Sequence, residues 1–150
     1  MSLPDVMKSP RAAEAVRSAL AEDIGSGDAT SIALVDPKAV ATGRIFSRVP
    51  CVVAGATVAR AVLRAVDPRL RVTILRPDGS RVRANQDILR FAGRARSILA
   101  AERVALNFMQ RMCATATLTQ KFVDATRRYH ALILDTRKTT PGLRVFEKYA

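Results

Sequence analysis

Ile133-Leu134-Asp135-Thr136-Arg137-Lys138-Thr139-Thr140-Pro141-Gly142-Leu143-Arg144 is the segment on which the reading of this chain turns. The apolar run from Ala131 to Leu134 predicts a buried strand. Asp135 ends it, and Pro141-Gly142 marks a loop after it. Between strand and turn stand a guanidinium and an ammonium, Arg137 and Lys138, flanked by the hydroxyls of Thr136, Thr139 and Thr140. A planar fork suits a carboxylate, a point charge suits a phosphate, and hydroxyls fill the remaining hydrogen bonds. The upstream chain reads as a platform that delivers this loop.

That platform has mixed character. Ser9-Pro10 predicts a helix start, with Ala12, Val16, Ala19 and Leu20 at helical spacing and Gly25 as the stop. Glu22 to Ser31 reads as an acidic loop that caps the next element; its glycines lack the spacing of a phosphate loop. Val40 to Val49 predicts a strand, and Ala54 to Val66 a helix ended by Asp67-Pro68. Leu70 to Leu75 predicts a strand that turns through Pro77-Asp78-Gly79-Ser80 and pairs back with Arg81 to Ala84, and Ile88 to Ala92 one more strand. From Arg94 onward Ile98, Ala101, Ala105, Phe108 and Met112 share one helical side, with Arg96, Arg103, Asn107 and Gln110 opposite. By spacing alone Arg103 is a solvated surface charge beside Glu102. The run Cys113-Ala114-Thr115-Ala116-Thr117 allows either close backbone approach or a break, after which a second helix reaches Tyr129. Phe108, Phe122 and Phe146 are candidates for core or interface, and His130 for the surface.

Half of the 150 residues, 49%, are hydrophobic, which supports a real core and argues against disorder. Twenty arginines against five lysines bring the net charge to +12. Nucleic acid, an anionic small molecule or an arginine-rich proteome would each account for that, and composition alone does not choose. The basic residues are scattered, which disfavours nucleic acid. Cys51 and Cys113 lack paired spacing and His130 is the only histidine, which excludes an ordinary zinc site. Met1 to Pro10 has no signal-peptide core, and no apolar run approaches bilayer length. The expectation is a soluble cytoplasmic protein with no membrane or nucleic-acid partner.

Asp135 to Arg144, followed by Glu147-Lys148-Tyr149-Ala150, resembles the signature of the quinolinate phosphoribosyltransferase family. Glu22-Asp23-Ile24-Gly25 with Gly27-Asp28-Ala29-Thr30, Ala101 to Asn107, and Ala114 to Thr117 agree with it in kind and order. The same fold and similar segments occur in a molybdenum-transport-associated relative. The resemblance implies an α+β N-terminal domain of hammerhead type (residues 1–112), then the helices and first strand of a truncated α/β barrel (residues 113–150). It implies phosphoribosyl transfer from phosphoribosyl pyrophosphate to quinolinate with decarboxylation. The products are nicotinate mononucleotide, pyrophosphate and CO2, in NAD biosynthesis. Thr136, Arg137 and Lys138 carry over as quinolinate-binding residues, Lys138 also as the catalytic cation facing the diphosphate. Arg103 carries over as the arginine that reaches the partner subunit's site in a homodimer. Magnesium is implied, held mainly by the diphosphate and by a part of the barrel beyond these residues, with no metal ligand in this segment. Family members are roughly twice as long, so the expectation is a fragment that is inactive alone. A non-catalytic basic binding or dimerisation module is the alternative.

Overall fold

The computed structural model describes residues 5–150, so the first four residues of the Met1 to Pro10 segment lie outside the described residues. The chain forms α1 (Pro10–Ile24), α2 (Ala29–Leu34), β1 (Val40–Ser47), β2 (Cys51–Val52), α3 (Ala56–Val66), β3 (Arg71–Ile74), β4 (Arg81–Val82), β5 (Gln86–Arg94), α4 (Ala95–Thr126) and α5 (Arg144–Tyr149). Short 3-10 turns, Val6–Lys8 and Arg127–Tyr129, precede α1 and follow α4. This is the α+β platform expected, followed by helix and loop.

Alternation decides the sheet. β5 is central in the order β1-β5-β3, antiparallel to both neighbours. Ile45, Leu89 and Ile74 stand side by side across the three strands, and so do Gly43, Phe91 and Val72. Because side chains alternate across a strand, these rows share the face on which α3 and α4 pack. A Cβ on Gly43 would lie 2.3 Å from the Phe91 ring, so only glycine lets that ring cross β1. The opposite face carries Thr42, Arg44, Arg71, Thr73 and Arg90 into solvent. There Asp87 accepts from Arg44 at 2.8 Å and from Arg90 at 2.8 Å, offsetting two facing cations. Val58, Val62 and Leu63 of α3 are essentially fully buried, each worth about 1.5–3 kcal/mol relative to exposure.

Three expectations are corrected. Arg81 to Ala84 does not pair back on Leu70 to Leu75: β4 pairs with β2, through Cys51 opposite Val82 and Val52 opposite Arg81. Backbone groups of the turn are taken by Val53, which donates to Ser80 O and accepts from Gly79 N, both at 2.8 Å. The run Cys113 to Thr117 does not break the helix, and α4 continues through the expected domain boundary at 112/113 for 32 residues. Thr115 and Thr117 donate their hydroxyls to the carbonyls one turn earlier, Arg111 O and Cys113 O. Close approach is the role of this run. Val52 N donates to Thr117 Oγ1 at 3.0 Å, and Ala54 N to the Cys113 sulfur at 3.3 Å.

The third correction concerns Ala131 to Leu134. It forms no strand ladder, and Leu132 and Leu134 are 85% and 80% exposed. A strand needs a neighbour for its backbone groups, and none among the described residues lies alongside. Phe122 is also exposed, while Phe108 and Phe146 stack with centroids 4.8 Å apart. His130 is exposed, with φ 53°. Ser9 occupies the cap position of α1 without a side-chain hydrogen bond, whereas Asp28 caps α2 by accepting from Ser31 N at 3.1 Å.

Candidate functional site

The loop from Asp135 to Leu143 is shaped by its own hydroxyls and carbonyls. Lys138 N donates to Thr136 Oγ1 at 3.0 Å, Thr139 N to Arg137 O at 3.1 Å, and Leu143 N to Thr140 O at 3.1 Å. Each closes a tight local turn of the kind threonine favours. The loop is then tied at three points to the rest of the molecule. Arg144 at the start of α5 donates to Thr139 Oγ1 at 3.1 Å and to Arg137 O at 3.2 Å. Lys148 pairs with Asp135 at 2.9 Å. On α4, Arg111 donates to Thr140 Oγ1 and pairs with Glu147 at 2.6 Å, while Thr140 N donates to the other oxygen of the same carboxylate at 3.1 Å.

α5 is only six residues long, too short to hold itself. It is fixed by Phe146, 2% exposed, and by Tyr149, whose hydroxyl donates to Asp78 Oδ2 at 2.8 Å. Asp78 in turn accepts from Ala56 N, at the amino end of α3, at 2.8 Å. The loop that carries Arg137 and Lys138 is therefore anchored to both α4 and the α+β platform.

Arg137 and Lys138 are exposed, and neither side chain makes a hydrogen bond or ion pair among the described residues. The cations around them, Arg111, Arg144 and Lys148, are committed to structure. The result is an ordered loop presenting a guanidinium and an ammonium with their donors unused. Thr136 stands beside them with its hydroxyl proton still free to donate.

Arg103 lies elsewhere. It is eight residues before Arg111 on α4, about 12 Å along the axis. Its Nη1 pairs with Asp23 Oδ1 at 2.9 Å and its side chain is 73% exposed. Within one chain it does not join the loop. Asp23 and Arg111 are the residues sequence reasoning missed, since their partners lie 80 and 36 positions away. A cavity of about 380 Å³ between α1, α4 and α5 is lined by Asp23, Asn107, Phe108, Arg111, Phe146 and Glu147, and stops short of Arg137 and Lys138.

The fit for a metal is poor within this segment. Among the described residues no three His, Cys, Asp or Glu side chains converge. Asp135, the carboxylate in the loop, is already paired with Lys148.

The Arg111 hydrogen bond, then those of Thr140, hold the Glu147 carboxyl below its ordinary value of 4.5. A depressed carboxyl stabilises the docked state above its unfolded pKa and loses that contribution as pH falls through the folded one. The clamp on Thr140 therefore persists below the ordinary carboxyl range and is released only on further acidification, through the depressed folded-state pKa. A titration of the Thr140 amide shift by NMR should show this step in the native chain and lose it in Glu147→Gln.

Residues 28–113 match the family described as quinolinate phosphoribosyl transferase, N-terminal domain, and residues 115–150 match its C-terminal domain. The chain is 43% identical over 142 residues to the carboxylating nicotinate-nucleotide pyrophosphorylase of Mycobacterium leprae (strain TN), covering 93% of this chain and 50% of that protein. It is 41% identical over 136 residues to the chloroplastic protein of the same name from Oryza sativa subsp. japonica, covering 90% of this chain and 36% of that one. Among solved structures, the nicotinate-nucleotide pyrophosphorylase of Francisella tularensis superposes with a TM-score of 0.88 at 37% identity, over 99% of this chain and 53% of that chain. NadC of Streptococcus pyogenes superposes with a TM-score of 0.90 at 34% identity, over 99% and 52%. The chain thus spans half or less of the curated relatives named here, and about half of the solved structures.

Proposed function

Because this chain belongs to the quinolinate phosphoribosyltransferase family, we propose that it supplies the N-terminal half of an enzyme that joins quinolinate to phosphoribosyl pyrophosphate. The products would be nicotinate mononucleotide, pyrophosphate and CO2. The observation that carries this reading is the pair of uncommitted cations, Arg137 and Lys138, on a loop otherwise fully tied down.

Quinolinate bears two adjacent carboxylates on a pyridine ring. The Arg137 fork holds one of them bidentately, and a second cation offsets the other. Lys138 sits next in sequence and faces the diphosphate, where an ammonium stabilises the charge that grows on the leaving oxygen. The ring nitrogen displaces pyrophosphate at the anomeric carbon. The quaternised ring then stabilises the electron pair left on the ring carbon when the neighbouring carboxylate departs as CO2, and that carbon takes a proton from water. The chain's part is orientation and charge. Arg103, remote from its own loop, completes the site of the second subunit in a homodimer. Magnesium, held by the diphosphate and by ligands outside these residues, would offset the charge of the leaving group. We place the enzyme in the cytoplasm. Among the described residues no helix is long and apolar enough to cross a membrane.

A full-length enzyme carrying these residues should form nicotinate mononucleotide and CO2 in stoichiometric amounts from the two substrates with magnesium. The 150-residue chain alone should form none, since it holds one loop of the site. Absence of product from the full-length enzyme, or product from the isolated chain, would overturn the corresponding part of the reading.

A further inference from the structure

We propose that Asp23 is a positioning residue for Arg103, holding the guanidinium ready for the dicarboxylate bound in the partner subunit's site. This rests on the shared-site reading above and deepens it.

Asp23 is the penultimate residue of α1, followed closely by Gly25 in a positive-φ cap. A carboxylate there faces the negative end of the helix dipole, so it does not serve the helix. It is four-fifths buried by its surroundings, with 21% of its side chain exposed, and bonds Arg103 Nη1 at 2.9 Å. The Arg103 guanidinium is otherwise open to solvent. A single bond through Nη1 leaves the edge formed by Nε and Nη2 free, which is the edge that meets a carboxylate as a fork. An exposed arginine loses much rotamer freedom when it binds. Pairing with Asp23 imposes that order before substrate arrives, which is preorganisation. Asp28, the cap of α2, adds a second negative charge that favours the same placement.

Removing Asp23 also removes an anion that would repel an incoming dianion. That contribution has the opposite sign, but the Asp23 charge is already offset by its pairing with Arg103 at 2.9 Å. Loss of order therefore dominates.

The test uses mixed dimers of the full-length enzyme, purified with two different tags. In a shared-site dimer, Arg103→Ala paired with Arg137→Ala leaves one site intact, with the Arg137 of one subunit and the Arg103 of the other. Recovery of activity in this control establishes the shared site, and its failure sinks that reading independently of Asp23. Asp23→Ala homodimers should show a quinolinate KM raised about 10-fold or more with a smaller change in kcat. Paired with Arg137→Ala, Asp23→Ala should recover about half of native activity, because the intact Asp23 and Arg103 then serve the intact loop. Paired with Arg103→Ala, it should recover no site of native KM and show only the raised KM of the Asp23→Ala homodimer. The reverse pattern would mean that Asp23 acts on its own subunit's loop, and native KM in the Asp23→Ala homodimer would mean that it positions nothing. Asp23→Asn keeps the shape and an acceptor, and should give an intermediate KM with a native melting temperature. A melting temperature lowered in both variants, with no recovery in either pairing, would assign Asp23 a purely structural role and overturn the proposal.

Discussion

Arg137→Ala in the full-length enzyme is expected to lower kcat/KM for quinolinate by roughly 30- to 1000-fold, mostly through KM. That range corresponds to a charge-assisted, bidentate contact worth about 2–4 kcal/mol. Arg137 has no structural duty that would confuse the result. Its side chain binds nothing among the described residues, and only its carbonyl is used, by Arg144 and by Thr139 N. The variant should therefore fold and melt like the native protein. Calorimetry of quinolinate binding gives the decisive reading, and an unchanged affinity would remove Arg137 from the site. Arg137→Lys should recover little, because an ammonium keeps the charge and loses the fork.

Phe146→Ala should cost about 3 kcal/mol or more of unfolding free energy, the usual penalty for emptying a buried aromatic position. The ring is 2% exposed and packs at a tilt against Phe108, centroids 4.8 Å apart. The consequence for function is larger than the figure suggests. Without Phe146, α5 loses its one fully buried side chain and keeps the partly buried Val145 and Tyr149, the ion pair of Glu147 with Arg111 and the Tyr149 hydrogen bond to Asp78. An exposed pair of that kind contributes about 0–1 kcal/mol. The helix should undock locally and free the loop that Arg144, Glu147 and Lys148 restrain. Urea denaturation measures the first effect, and hydrogen exchange at Thr140 N the second. If the Thr140 amide stayed protected, Phe146 would not be the anchor of the site.

Distance along the chain separates what could be read in the sequence from what could not. β1, α1, α3 and β5 were legible because a strand or helix writes its period into consecutive residues. That a cap lies within Glu22 to Ser31 was legible from its residue types, but that Asp28 supplies it came only with the structure. The partner of β4 was not, because the turn at Asp78 looks like a hairpin until its side chain is seen holding the start of α3. Composition at Cys113 to Thr117 allowed either a break or close approach, and the small side chains there admit β2 against α4. Ala131 to Leu134 has the composition of a strand but lacks the neighbour that would make it one. At the site, Arg137 and Lys138 stood out as adjacent charges in a loop. Arg111 and Asp23 did not, since nothing local marks a residue whose partner is recruited by folding.

The unbroken α4 has a bearing on how relatives can be recombined. A crossover at residue 112 or 113, where a modular view would cut, falls in mid-helix and would join two half-rods of separate ancestry. Any mismatch of one residue there would turn Thr117, which receives Val52 N, by about 100° relative to Arg111 and shift it about 1.5 Å. A hybrid that keeps Arg111 and Thr117 in phase has to inherit the entire rod from one parent, with the seam placed beyond Thr126.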